Sequence, residues 1–163
     1  TSQTGHLSIN PSNIMFNDIG NAILADFGIR NWKRKFCKKN DAFNAWTRYE
    51  APEFANESGG DFISDIYSLG VILCDMLSGL PPAEERQFNR DASLKSCKAG
   101  KETLGIIRSA TEPARKRRIQ SYDVFLKMLQ TPIKKITAQS PPPARSKSLQ
   151  IKPPQKKLVI MIK

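Results

Sequence analysis

The stretch HLSINPSNIMFNDIGNAILADFG, running from His6 to Gly28, holds two short β-compatible runs, Ile14 to Asn17 and Ala22 to Ala25. Between them lies Asp18-Ile19-Gly20-Asn21, a loop with turn chemistry, so the stretch predicts a hairpin. With a four-residue loop Asn17 faces Ala22, Phe16 faces Ile23, Met15 faces Leu24 and Ile14 faces Ala25. Asn13 and Asp26 then stand opposite each other at the open end, a carboxamide beside a carboxylate.

Beyond the hairpin the pattern turns helical. From Ser64 to Leu77, Phe62, Ile66, Leu69, Leu73 and Met76 fall on one side and Ile63, Tyr67, Val71 and Cys74 on another. A helix apolar nearly all round is expected to be buried. Ser64 is its expected N-cap, Ser78-Gly79 its stop, and Pro81-Pro82 prevents continuation. Two more helices are expected, from Lys101 to Thr111 and from Tyr122 to Gln130, the second capped by Ser121 and ended before Pro132. The expected fold class is mainly α with one short β-hairpin.

The 163 residues suffice for one ordinary domain with an appendage, and no apolar run approaches the roughly 20 residues of a membrane span. A soluble chain without a transmembrane segment is expected. Of the net charge of +11, the eight basic residues and no acids of segment 131–163 carry +8, which leaves +3 for residues 1–130. That segment also holds six of the eleven prolines and reads as a disordered, basic, Pro-rich tail. Its end, Leu158 to Ile162, reads either as a docking edge strand or as a frayed end. The domain expectation is therefore 1–130 as the folded unit and 131–163 as the tail.

Cys37, Cys74 and Cys97 are odd in number and widely spaced, so they fit neither a disulfide framework nor a zinc site. With no secretory or transit signal at the start, this predicts a reducing, cytoplasmic location.

The order His6-Leu7-Ser8-Ile9-Asn10-Pro11-Ser12-Asn13, Asp26-Phe27-Gly28, Ala51-Pro52-Glu53 and Ser64-Asp65-Ile66-Tyr67-Ser68-Leu69-Gly70 resembles the C-terminal lobe of a protein kinase. The resemblance runs from His6 to about Gln130, and Arg118-Ile119-Gln120-Ser121 is most similar to bacterial-type serine/threonine kinases. It implies the protein kinase-like α+β superfamily, with ATP and Mg2+ as cofactors. Asp26 takes the place of the acid that holds magnesium and Asn13 that of the asparagine for the second ion, which makes these two the cofactor- and metal-binding candidates.

The catalytic loop departs from the family. Where the resemblance calls for a catalytic aspartate there is Ser8, whose hydroxyl cannot take a proton near neutral pH. Asn10 replaces the lysine that steadies the transferring phosphate, and Leu7 replaces an arginine. The chain begins just before the catalytic loop, so the N-lobe with its Gly-rich loop and Lys–Glu pair is expected to be absent, and a chain so truncated can be without ATP and Mg2+.

Other matching positions are expected to be structural. His6 resembles the packing histidine of the loop, Phe27 and Gly28 complete the Asp-Phe-Gly motif, and Thr47 matches a threonine lining the peptide-docking site. Glu53 and one of Arg117 or Arg118, with Arg118 favoured, resemble an ion pair tying the activation segment to the last helices. Asp65 resembles the helix acid that bonds the catalytic-loop backbone.

Three functions follow. The first is a truncated pseudokinase acting as scaffold or regulator through protein partners. The second is an active Ser/Thr kinase completed by an upstream or separate N-lobe. The third is a binder of nucleic acid or anionic lipid through the basic tail. Trp32 and Trp46 among Lys33-Arg34-Lys35 and Lys38-Lys39 could serve nucleic acid, but packing residues on a solvated basic loop is the simpler reading.

Overall fold

The computed structural model describes residues 4–29, 47–56, 59–79 and 88–137. Lys33-Arg34-Lys35, Lys38-Lys39, Trp32, Trp46, Cys37, Pro81-Pro82 and the tail beyond Thr137 lie outside the described residues. Within them the order is a 3-10 turn at Pro11–Asn13, strands β1 (Ile14–Phe16) and β2 (Ala22–Leu24), 3-10 turns at Thr47–Tyr49 and Pro52–Asn56, helices α1 (Phe62–Ser78), α2 (Arg90–Ser96) and α3 (Lys101–Ala110), a 3-10 turn at Arg115–Arg117, and α4 (Tyr122–Thr137). The fold is mainly helical with one antiparallel hairpin.

Helix α1 is the hub, as its two-sided apolar pattern requires. Tyr67, Val71 and Ile72 pack with Ile9, Tyr49 and Ala51; Ile66 packs with Ile106, Ala110, Ile119 and Phe125; and Cys74 packs with Leu94 and Ile107. Each aliphatic side chain so buried contributes about 1.5–3 kcal/mol. The helix passes so close to α3 that a Cβ on Gly70 would lie 2.8 Å from Ala110 Cβ and 2.9 Å from Thr111 Cγ2. Met76, expected on an apolar side, points to solvent at 73% exposure.

The expected cap of α1 is corrected. The helix starts at Phe62, and Asp61 is the N-cap, its Oδ1 accepting the Ile63 N–H at 2.9 Å while Ser64 Oγ accepts the Asp61 N–H at 3.4 Å. Ser64 thus serves in a capping box from the third helical position, because a carboxylate is the stronger acceptor at the start. Gly79, at φ 65, closes the other end.

Helix α4 begins as expected, with Ser121 Oγ accepting the Asp123 N–H at 3.1 Å. It does not end before Pro132 but continues to Thr137. A proline removes one backbone donor and clashes with the preceding turn, a local cost that the flanking helix can absorb by bending.

The hairpin register also differs from expectation by one residue. Ile14 pairs with Leu24, Met15 with Ile23 and Phe16 with Ala22. Asn17 N–H donates to Asn21 O at 3.0 Å, and Gly20, at φ 82, donates to Asn17 O at 2.9 Å. The left-handed glycine closes a loop one residue shorter than the four-residue estimate. Asn13 therefore faces Ala25, whose N–H donates to Asn13 O at 2.8 Å, and the expected Asn13–Asp26 pairing is not made.

Candidate functional site

The loop from Gly5 to Asn13 is fastened to α1 by one carboxylate. Asp65, fully buried, accepts the His6 N–H at 2.6 Å, the Leu7 N–H at 2.7 Å and the Tyr122 hydroxyl at 3.0 Å. Burial pushes its carboxyl above the ordinary value, and these three donors oppose the rise. A Cβ on Gly5 would lie 2.7 Å from Asp65 Oδ2, so a residue without a side chain is what lets the loop come this close. Leu7 is held at φ 62, in the left-handed region.

His6 is buried and bonds across to the hairpin, its Nε2 2.8 Å from Ala25 O. Since a carbonyl only accepts, Nε2 carries a proton, and Nδ1 is buried without a partner among the described residues. The Phe27 ring meets the His6 ring edge-on at 5.5 Å between centroids while remaining largely exposed. His6 thus packs the loop against the hairpin.

Ser8, Asn10 and Asn13 are brought together. Asn13 Nδ2 donates to Ser8 O at 2.8 Å and lies 3.4 Å from Ser8 Oγ, and Asn10 Nδ2 donates to Ser8 O at 3.0 Å. Asn10 Oδ1 caps the Pro11–Asn13 turn, accepting from Ser12 N–H at 2.9 Å and Ser12 Oγ at 2.6 Å. Both polar atoms of the Asn10 side chain are thereby engaged inside the loop. An asparagine here builds the turn and presents no charge to a phosphate.

Asp26 is exposed, at φ 63, and its carboxylate makes no hydrogen bond or ion pair with the described residues. Gly28 follows at φ 75. Such an exposed carboxylate fits a magnesium ion that draws its other ligands from nucleotide phosphates and water, and Asn13 Oδ1, which among the described residues accepts only a long 3.4 Å contact from Ser12 Oγ, keeps a lone pair for the same role. Among the described residues there is no group of three or more His, Cys, Asp or Glu that could hold a metal by itself. When bound, the ion would screen phosphate charge; Asp26 and Asn13 are the residues that would hold it.

The second anchor is Glu53 with Arg118, not Arg117. The guanidinium meets the carboxylate at 2.7 and 2.9 Å and spends its remaining N–H groups on Ile63 O, Glu112 O and Pro113 O at 3.0, 2.9 and 3.4 Å. Burial works to raise the Glu53 carboxyl, but the Arg118 and Ser64 hydrogen bonds and the Arg118 charge outweigh it and hold it below the ordinary value. Arg118 also stacks over Tyr67 at 5.0 Å. Arg117 instead reaches Glu112 at 2.9 Å on the surface. Thr47 opens the Thr47–Tyr49 turn with its side chain exposed.

Sequence reasoning missed a third anchor. Arg48 Nε and Nη2 donate to Asp75 at 3.0 and 2.6 Å, and the Tyr49 hydroxyl donates to the same carboxylate at 2.9 Å. All three residues are buried. Burial, then the Asp75 bond, pushes the Tyr49 hydroxyl upward. The signal was present: a charge late in an apolar helix requires a partner.

A buried central helix whose first acid ties down a polar loop, with a hairpin followed by an exposed aspartate, is the arrangement expected of a kinase-like C-lobe. The sequence model of the protein kinase domain matches residues 2–141, and the chain belongs to the protein kinase family. It is 34% identical over 77 residues to serine/threonine-protein kinase AtPK1/AtPK6 of Arabidopsis thaliana, covering 47% of this chain and 16% of that one. To serine/threonine-protein kinase hippo of Drosophila melanogaster it is 36% identical over 80 residues, covering 49% of this chain and 12% of that one. The chain thus spans less than a fifth of the length of these relatives. The crystal structure of the Mycobacterium tuberculosis PknI kinase domain superposes with a TM-score of 0.59 at 21% identity, covering 77% of this chain and 46% of that one. That likeness speaks to the fold.

Proposed function

We propose that this chain is the C-lobe of a pseudokinase, a scaffold or regulator acting through protein partners in the cytoplasm. The observation that carries the reading is Ser8. It occupies the family's catalytic aspartate position, and its carbonyl is bonded by Asn10 and Asn13. A positioned base contributes roughly 10² to 10⁴ in rate, and a hydroxyl cannot supply it at neutral pH. Asn10, turned inward to cap, removes the positive charge as well. Among the described residues no helix is long and apolar enough to cross a membrane.

Transfer of labelled phosphate from Mg·ATP to a Ser/Thr peptide tests this, using the polypeptide as it is encoded around residues 1–163. The wild type and Asp26→Ala are expected to give the same background. Activity that Asp26→Ala abolishes would overturn the reading.

The second reading is an active Ser/Thr kinase completed by an N-lobe. It is favoured by Asp26, exposed and without a partner among the described residues, and by exposed apolar side chains on and beside the hairpin, Phe16, Ile19 and Phe27 at 71, 80 and 69% exposure, which a further lobe would cover. A Gly-rich loop followed by a lysine and a glutamate in the nucleotide sequence 5′ of the Thr1 codon would support it.

A further inference from the structure

The fold brings together two of the three cysteines. Cys74 lies in α1 with its side chain wholly buried, and Cys97 is the C-cap of α2 and partly open to solvent. Their sulfurs are 3.0 Å apart, both as free thiols. The approach is set by backbone: Lys98 N–H donates to Leu77 O at 3.0 Å, locking the end of α2 against the last turn of α1. Polar groups surround Cys97 Sγ, with Ser93 O at 3.3 Å and Ser78 Oγ and Cys74 O at 3.4 Å.

We propose that Cys74 and Cys97 form a redox-active dithiol, a modification site that takes a peroxide-class oxidant and closes reversibly into a disulfide joining α1 to α2. The reaction has two steps. Cys97, the partly exposed member, gives up its thiol proton and its sulfur attacks one peroxide oxygen; the O–O bond breaks, the leaving oxygen takes up that proton as water, and Cys97 becomes a sulfenic acid. The Cys74 sulfur then attacks the Cys97 sulfur, the S–O bond breaks, and the Cys74 proton leaves with that oxygen as water. In total two thiols and one hydrogen peroxide give one disulfide and two waters.

The division of labour follows from burial. Desolvation, followed by the hydrogen bond and charge of Cys97, pushes the Cys74 thiol up to about 12, so Cys74 stays protonated at neutral pH and is shielded from direct oxidation. Once Cys97 is a sulfenic acid, Cys74, whose sulfur lies 3.0 Å away, is the thiol placed to resolve it. The sulfurs need to close by only about 1 Å to reach bonding distance. A bond between residues 23 apart would remove chain entropy from the unfolded state.

The test treats the reduced chain with stoichiometric hydrogen peroxide. Trypsin places each cysteine in its own peptide: Cys74 in 49–86, Cys97 in 96–98 and Cys37 in 36–38. Free thiols are expected to fall from three to one, with peptide 49–86 joined to 96–98. The melting midpoint is expected to rise by roughly 5 to 10 °C, and dithiothreitol should reverse both changes. Cys97→Ser, at a partly exposed position, should lose the cross-link and the gain in midpoint. Three thiols surviving, Cys97 ending as a sulfinic acid beside free Cys74, a link through peptide 36–38, or a Cys97→Ser variant that still cross-links would each overturn the proposal.

Discussion

Asp65 Oδ1 accepts the Leu7 N–H at 2.7 Å and so holds a leucine at φ 62. A side chain in that region costs about 1–2 kcal/mol, and the neighbouring His6 N–H and Tyr122 hydroxyl bonds to the same carboxylate offset it. Asp65→Ala would leave two loop N–H groups without their acceptor. It is expected to destabilise the chain by about 3 kcal/mol or more, read by urea unfolding, and to speed amide exchange at His6 and Leu7.

Arg118 depends on Glu53 in the same way. Glu53→Gln leaves a buried guanidinium without its counter-charge and is expected to cost about 3–5 kcal/mol. Arg118→Lys should be nearly as harmful, since an ammonium cannot reproduce five N–H bonds in a planar fork.

The pH dependence has a definite sign. Glu53 has a lower pKa folded than unfolded, so its contribution is present above the unfolded value of about 4.3 and is lost as pH falls through the folded value. Urea midpoints between pH 7 and 3 should drop on the acid side in the wild type. In Glu53→Gln that part of the drop should be missing. An equal drop in both would show that other carboxylates govern acid unfolding.

The Arg48–Asp75 pair lends itself to a double-mutant cycle. Asp75→Ala alone is expected to cost about 3–5 kcal/mol, because Arg48 and the Tyr49 hydroxyl lose their common acceptor. Arg48→Met with Asp75→Leu should cost much less than the sum of the single changes, since no charge is then buried alone.

At Gly70, where α1 touches α3, Gly70→Val should cost about 1–3 kcal/mol by overpacking against Ala110 and Thr111, more than any gain in helix propensity returns. Equilibrium unfolding reads it directly.

Much of the architecture was legible in the chain. The turn residues announced the hairpin, and the apolar pattern from Phe62 onward announced a buried helix, because both signals arise within a few neighbouring residues. The Glu53–Arg118 pair was legible for another reason: the order and spacing of motifs resembled a family in which those positions meet. Asp61 went unread as the cap because Ser64 was an acceptable N-cap three residues later. The hairpin slipped by one because loop length depended on Gly20 adopting φ 82, a conformation the letter G permits without requiring. Asp75 was visible as a charge in an apolar helix, yet its partner lay 27 residues away.

The sequence alone determined the family, through the order and spacing of its motifs, and the central helix, through its local periodicity. Only the tertiary structure decided that Asn13 faces Ala25, that Asn10 turns inward as a cap, that Asp75 belongs to Arg48 and Tyr49, and that Cys74 lies beside Cys97. The first two turn on local backbone conformation that residue type permits without requiring, whereas the last two form when distant segments pack to native density around α1, and periodicity along a chain carries no record of which side chains will meet across it.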